Sequence, residues 1–275
     1  MNNIDLKKYT TVVATGDCHG NFRALVNSVC VQHKLRDTLV IVCGDIGMGF
    51  HKSGYYTDEF KWMQKRLEEY GNCLVMFRGN HDNPDYFNSE EYSELQEPGR
   101  GGKYKNVFLI EDYTVLQTIK GNILCIGGAV SIDRSSRTAG ISWWEDEKFC
   151  MPDDLDYLEI GKSNVTIVAT HTCPSCCGPM FNDAMGYEKF DRFLMSELQN
   201  ERLDLLEVYE NIKQTSDIRL WLYGHFHNHY QDDHMGTLFV GLDMIRPNSG
   251  GADIYEIRSE DNGKGKELST SEEPK

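Results

Sequence analysis

Hydrophobic and polar positions in the first half of the chain fall into two alternating patterns. Residues 10–15, 38–43 and 73–77 are apolar and rich in β-branched side chains, and they read as buried strands. Between them, residues 22–35 and 58–70 carry apolar side chains at three- and four-residue spacing and read as helices. Strands alternating with helices predict an α/β fold with a largely parallel sheet under covering helices. Ligands of such sheets bind at the carboxyl ends of the strands.

The middle of the chain changes character. Residues 107–110, 113–119 and 122–126 are short strand candidates separated by few residues, which favours antiparallel pairing or a second sheet. Residues 89–105 read as a loop, 165–170 as a strand, and about 187–211 as a long amphipathic helix. Strands at 218–223, 238–242 and 252–257 complete the pattern. Residues 259–275 hold Ser, Glu, Lys, Gly and Pro with almost no apolar content, too little to offset the entropy of ordering. The expected organisation is one domain over residues 1–258 and a disordered tail over 259–275, without internal repeats.

Composition narrows the functional classes. At 40% hydrophobic and 26% charged residues, the chain has the material for a substantial core. A formal net charge of −15 repels polyanions and weighs against long nucleic acid as a partner. Bound divalent cations would invert that logic locally. No apolar run reaches the roughly 20 residues that span a bilayer, and the opening residues Met1 to Leu6 lack the basic and apolar regions of a secretory signal. A cytoplasmic chain without a membrane partner is expected, and the nine cysteines, several inside strand-like runs such as Cys43, Cys73 and Cys125, are expected to be reduced.

The chemistry lies where the strand candidates end. Five short motifs follow five such strands: Gly16-Asp17-Cys18-His19-Gly20, Gly44-Asp45, Gly79-Asn80-His81-Asp82, Thr170-His171-Thr172 and Gly224-His225-Phe226-His227. A sheet would gather all of them on one edge. The i, i+2 spacing of Asp17 with His19 and of His225 with His227 puts both members of each pair on one side of an extended segment. Glycine precedes the first metal-binding residue in four of the five motifs, where a Cβ would hinder close backbone approach or the turn. Two carboxylates, one amide oxygen and four imidazoles form a mixed oxygen and nitrogen set suited to Mn²⁺, Fe or Zn²⁺ rather than Ca²⁺ or Mg²⁺. Seven ligands exceed the needs of one tetrahedral ion and fit two ions sharing a carboxylate.

In order and spacing, these motifs resemble the calcineurin-like metallophosphoesterase superfamily, whose pattern is D-x-H, G-D, G-N-H-[DE], a lone His and G-H-x-H. The resemblance spans residues 16–227. It implies a sandwich of two mixed β-sheets flanked by helices and hydrolysis of a phosphate mono- or diester by a metal-bridging hydroxide, without a covalent enzyme intermediate. It places Asp17, His19, Asp45 and His227 on one metal, and Asp45, Asn80, His171 and His225 on the other, with Asp45 as the bridge. It also gives His81 a catalytic role at the phosphate or leaving oxygen, with Asp82 orienting it. Mn²⁺ is the first expectation for both ions.

Gly16–Gly20 and Arg78–His81 are also similar to Ser/Thr protein phosphatases, but Gly44-Asp45-Ile46-Gly47-Met48-Gly49 and Asp82 depart from their pattern. The stretch Gly127–Arg134, with Arg137 and Trp143-Trp144, is similar to bacterial and phage phosphoesterases of undefined substrate. The partner is therefore open among a phosphorylated small molecule, a nucleotide and a phosphoprotein. A nuclease and a catalytically silent interaction module are the alternatives. Arg78, Arg134 and Arg137 are candidates for clamping phosphate. Cys173, Cys176 and Cys177 read as buried thiols rather than a zinc site, since a lone C-x-x-C lacks its second pair.

Overall fold

The computed structural model describes residues 2–87, 104–179, 186–247, 252–259 and 266–267. Two mixed sheets form its centre. One has six strands: β2 (Thr11–Thr15), β3 (Thr38–Val42), β4 (Cys73–Met76) and β5 (Val107–Leu109) run parallel, and β12 (Tyr255–Glu256) and β13 (Lys266–Glu267) extend its other edge antiparallel. The other has seven, in the order β1 (Asn3–Asp5), β6 (Thr114–Thr118), β7 (Gly121–Ile126), β8 (Val165–Thr170), β9 (Leu220–Tyr223), β11 (Thr237–Gly241) and β10 (Tyr230–His234).

Both faces of each sheet are covered, which is why the strands read as continuous apolar runs. Alternate residues of β2, β3 and β4, such as Val12, Leu39 and Val75, meet Ile123, Ile167 and Leu222 of the opposite sheet. Their neighbours Val13, Val40 and Leu74 face helices α1 (Phe22–Asn27) and α2 (Ser53–Glu68) through Leu25, Phe60 and Met63. On the outer face of the second sheet, Val168, Trp221 and Phe239 pack with Ile160 of α3 (Asp154–Lys162) and with Val208 and Tyr209 of α4 (Leu194–Lys213). The result is helix, sheet, sheet, helix, and each buried side chain contributes about 1.5–3 kcal/mol.

The sequence reading is corrected at several elements. β5 pairs parallel with β4 in the first sheet instead of antiparallel with its chain neighbours. The α-helical hydrogen bonding of α1 ends at Asn27 and a π-helical turn carries on to Gln32. β10 went unread because its Gln231-Asp232-Asp233 face is exposed, as suits a charged edge strand. Lys266–Glu267 pair with Tyr255–Glu256, so part of the segment read as a disordered tail is an edge strand. The rest of that tail beyond Ser259, and most of the loop read at 89–105, lie outside the described residues. Among the described residues, no helix is long and apolar enough to cross a membrane.

Candidate metal centre and active site

Strands β2, β3 and β4 of one sheet and β8 and β9 of the other end at the same edge of the sandwich, and the motif residues follow directly. Asp17 and Asp45 are buried at the bottom of the resulting cluster. His227 Nε2 lies 2.9 Å from Asp17 Oδ2 and 3.0 Å from His19 Nε2. His19 Nε2 is in turn 3.7 Å from Asp45 Oδ2. One donor atom from each of Asp17, His19, Asp45 and His227 falls within 4.8 Å of all the others.

The second half of the cluster forms around the other oxygen of Asp45. His171 Nε2 lies 3.1 Å from Asp45 Oδ1 and 2.9 Å from Asn80 Oδ1. The His225 ring centroid is 4.9 Å from that of His171. The surroundings fix which atoms face inward. His171 Nδ1 donates to the Cys43 carbonyl at 2.8 Å, and Asn80 Nδ2 donates to Ser131 Oγ at 2.9 Å, so Nε2 and Oδ1 are the atoms turned to the centre. Such outer hydrogen bonds orient metal ligands. Glu147, fully buried, holds Ser131 by accepting its backbone N–H at 3.0 Å. The seven residues thus come together in two groups of four that meet at Asp45, and their donor chemistry suits a pair of divalent ions.

Electrostatics agree with that fit. Burial works against the charge of Asp45, but the imidazoles of His171 and His81 outweigh it and hold the carboxyl well below its usual range. Burial and the neighbouring His171 keep His225 neutral, the form that binds metal. The backbone is also unusual here. His19, Asp45, His225 and His227 have φ of 46°, 47°, 69° and 50°, a left-handed conformation that side chains other than glycine adopt at a cost and that concentrates at functional sites. The i, i+2 pairs therefore converge through left-handed turns, not through the extended segments read from the sequence.

Three further sequence expectations change. Asp82 accepts the backbone N–H groups of Ile46, Gly47, Met48 and Gly79 at 2.8–3.0 Å. It ties together the loops that carry Asp45 and Asn80 instead of orienting the His81 ring. Arg78 is taken up by Asp112 and by the carbonyls of Asp146, Glu147 and Lys148, and Arg134 by Asp191 and Glu197. Neither guanidinium is left for phosphate. Arg137 does reach the site: it donates to His81 Nε2 and pairs with Asp133 at 2.6 Å. An arginine can only donate, so His81 carries its proton on Nδ1, and burial keeps the ring below its ordinary pKa.

Sequence reasoning missed the places of Ser131 and Glu147 behind Asn80, which become visible only where distant segments meet. The cysteines are all free, and none of them belongs to the Asp17, His19, Asp45 and His227 group.

The sequence pattern of calcineurin-like phosphoesterases matches residues 10–229, from the start of β2 past the last motif histidine. The chain belongs to this family. The calcineurin-like phosphoesterase fold is shared with a dimetal phosphatase from Danio rerio, at 11% identity over 96% of this chain and 100% of that one, with a TM-score of 0.56. The protein TT1561 of Thermus thermophilus aligns at 12% identity over 90% and 99% of the two chains, with a TM-score of 0.49. No curated protein matches the chain. Family membership and the Asp–His cluster support a phosphoesterase that uses divalent metal ions.

Proposed function

We propose that the chain hydrolyses a phosphate ester at a site holding two divalent ions, most suitably Mn²⁺. The observation that carries this reading is the division of Asp45: Oδ2 faces His19, in the group with Asp17 and His227, and Oδ1 faces His171, which also meets Asn80. A single carboxylate placed between two donor groups is what a shared ligand requires. Bound there, two ions would supply the Lewis acidity that makes water nucleophilic at neutral pH and neutralises charge on the phosphoryl group.

The protein's own residues position the rest. Asp17 Oδ1 accepts the His225 backbone N–H, and Asp45 Oδ1 accepts that of His81, at 2.8 and 2.7 Å. The loops that carry the two histidines are thereby fixed to the two carboxylates. His81 and Arg137 form a hydrogen-bonded pair beside the cluster, and Arg137, itself paired with Asp133, holds the ring where His81 would meet the departing oxygen. His81→Ala is expected to lower kcat on p-nitrophenyl phosphate by about 10²–10⁴ while the protein still binds metal. Unchanged kcat in that variant would refute the role given to His81.

A further inference from the structure

The two donor groups differ in charge. Asp17, His19, Asp45 and His227 offer two carboxylates to one ion, whereas Asp45, Asn80, His171 and His225 offer the other a single shared carboxylate, one amide oxygen and two imidazoles. Neutral donors offset less of a divalent charge, so the second group holds its ion more weakly unless negative charge reaches it from outside the ligand set.

Behind Asn80 lies a buried path to such a charge. Asn80 Nδ2 donates to Ser131 Oγ at 2.9 Å, and Arg137 Nη1 donates to the same oxygen at 3.4 Å. An amide nitrogen and a guanidinium can only donate, so the Ser131 hydroxyl proton goes to an acceptor elsewhere. Glu147 is that acceptor: its carboxylate bonds the Ser131 hydroxyl and also accepts the Ser131 backbone N–H, the latter at 3.0 Å. Ser131 and Glu147 are both fully buried, in surroundings where linked hydrogen bonds polarise one another. The far end of the path is fixed as well. Arg78, two residues before Asn80, donates to the carbonyls of Asp146, Glu147 and Lys148, and the Ala129 N–H donates to the Glu147 carbonyl at 3.1 Å. The segments that carry Asn80, Ser131 and Glu147 thereby close a ring of hydrogen bonds.

We propose that Ser131 and Glu147 are positioning residues for Asn80 that raise the affinity of the charge-poor group alone: the Glu147 carboxylate, relayed by the Ser131 hydroxyl, holds the Asn80 amide with its oxygen inward and makes that oxygen a stronger ligand. The guanidiniums around Glu147 are already paired, Arg78 with Asp112 and Arg137 with Asp133, which leaves the carboxylate charge to act through Ser131. Burial pushes the Glu147 carboxyl up to about 7, and a cation at the Asn80 end of the path favours its ionised form.

This inference rests on the two-ion reading, and its test separates the two. Mn²⁺ is titrated by calorimetry at pH 8 into metal-free wild type, Ser131→Ala and Glu147→Gln, with Asn80→Ala run alongside to mark which binding step belongs to the Asn80 group. Ser131→Ala cuts the relay, and Glu147→Gln keeps the shape and an acceptor oxygen but removes the charge. Each should weaken the Asn80 step by about 10–100-fold and leave the other step within about threefold of wild type. Wild-type affinity at the Asn80 step in either variant overturns the assignment, as does a loss spread equally over both steps, which general loosening of the fold would give. If one variant folds poorly, the same comparison on the other decides. Wild type that binds fewer than two ions overturns the two-ion reading, and this assignment with it.

Discussion

Glu201 shows how burial alone can change what a side chain contributes. Its carboxyl is driven up to about 8 mainly by loss of water and further by the nearby Glu147, while backbone N–H groups of Val130 and Phe149 and the charge of His171 act in the opposite direction. The unfolded chain releases this proton near 4.5, the ordinary glutamate value. Between about 4.5 and 8 the folded state therefore holds more protons than the unfolded one, and stability falls as pH rises through that window. Glu201→Gln has no proton to lose, so the Tm of wild type minus that of the variant should decrease from pH 5 to pH 9. A difference that stays flat would show that Glu201 ionises as an ordinary surface carboxylate. Such a residue is not legible in the sequence, where it is one acidic position in an amphipathic helix. That Asp17, His19, Asp45, Asn80, His171, His225 and His227 come together was legible because they sit in short motifs just past the ends of strand candidates. Asp82, Arg78 and Arg134 were misread for the converse reason: their partners, such as Gly47, Asp112 and Asp191, come from other parts of the chain.

The elements matter here for where they end. β3 and β8 lie in different sheets, yet their exits touch: Gly44, at φ +90°, passes so close to His171 that a Cβ would stand 2.2 Å from its Nδ1. That contact seats the Nδ1–H against the Cys43 carbonyl and turns Nε2 toward Asn80 and Asp45. Gly44→Ala should displace the His171 ring. Its expected result is about a 10–100-fold loss of metal affinity, comparable to removing an outer hydrogen bond of a ligand, together with reduced stability from the positive φ. Metal affinity equal to wild type would show that the two exits are not coupled in this way. Strand and helix alternation in the first half was readable because both sheet faces are buried and the runs are long. β5 was assigned to the wrong partner since strand neighbours in space are set by the crossover, which hydrophobic pattern does not encode. β10 and α3 escaped because their exposed faces weaken the periodic signal.

At the scale of the whole molecule, two sheets packed face to face bring five loops from separate strands to one edge, and the left-handed turns at His19, Asp45, His225 and His227 aim four of the ligands. The net charge of −15 makes this edge an exception only when cations occupy it. Without them, imidazoles and the backbone N–H groups of His225 and His81 face Asp17 and Asp45; with them, the edge would attract a phosphate that the remaining surface repels. The central claim is that hydrolysis depends on two ions bound at this cluster. Its most direct test is a titration of metal-free protein with Mn²⁺, following bound metal and p-nitrophenyl phosphate hydrolysis together. The account predicts no turnover in the metal-free chain, and activity that rises and saturates as two ions bind per chain. Full turnover in metal-free protein, or two bound ions with no hydrolysis of any phosphate ester, would contradict it.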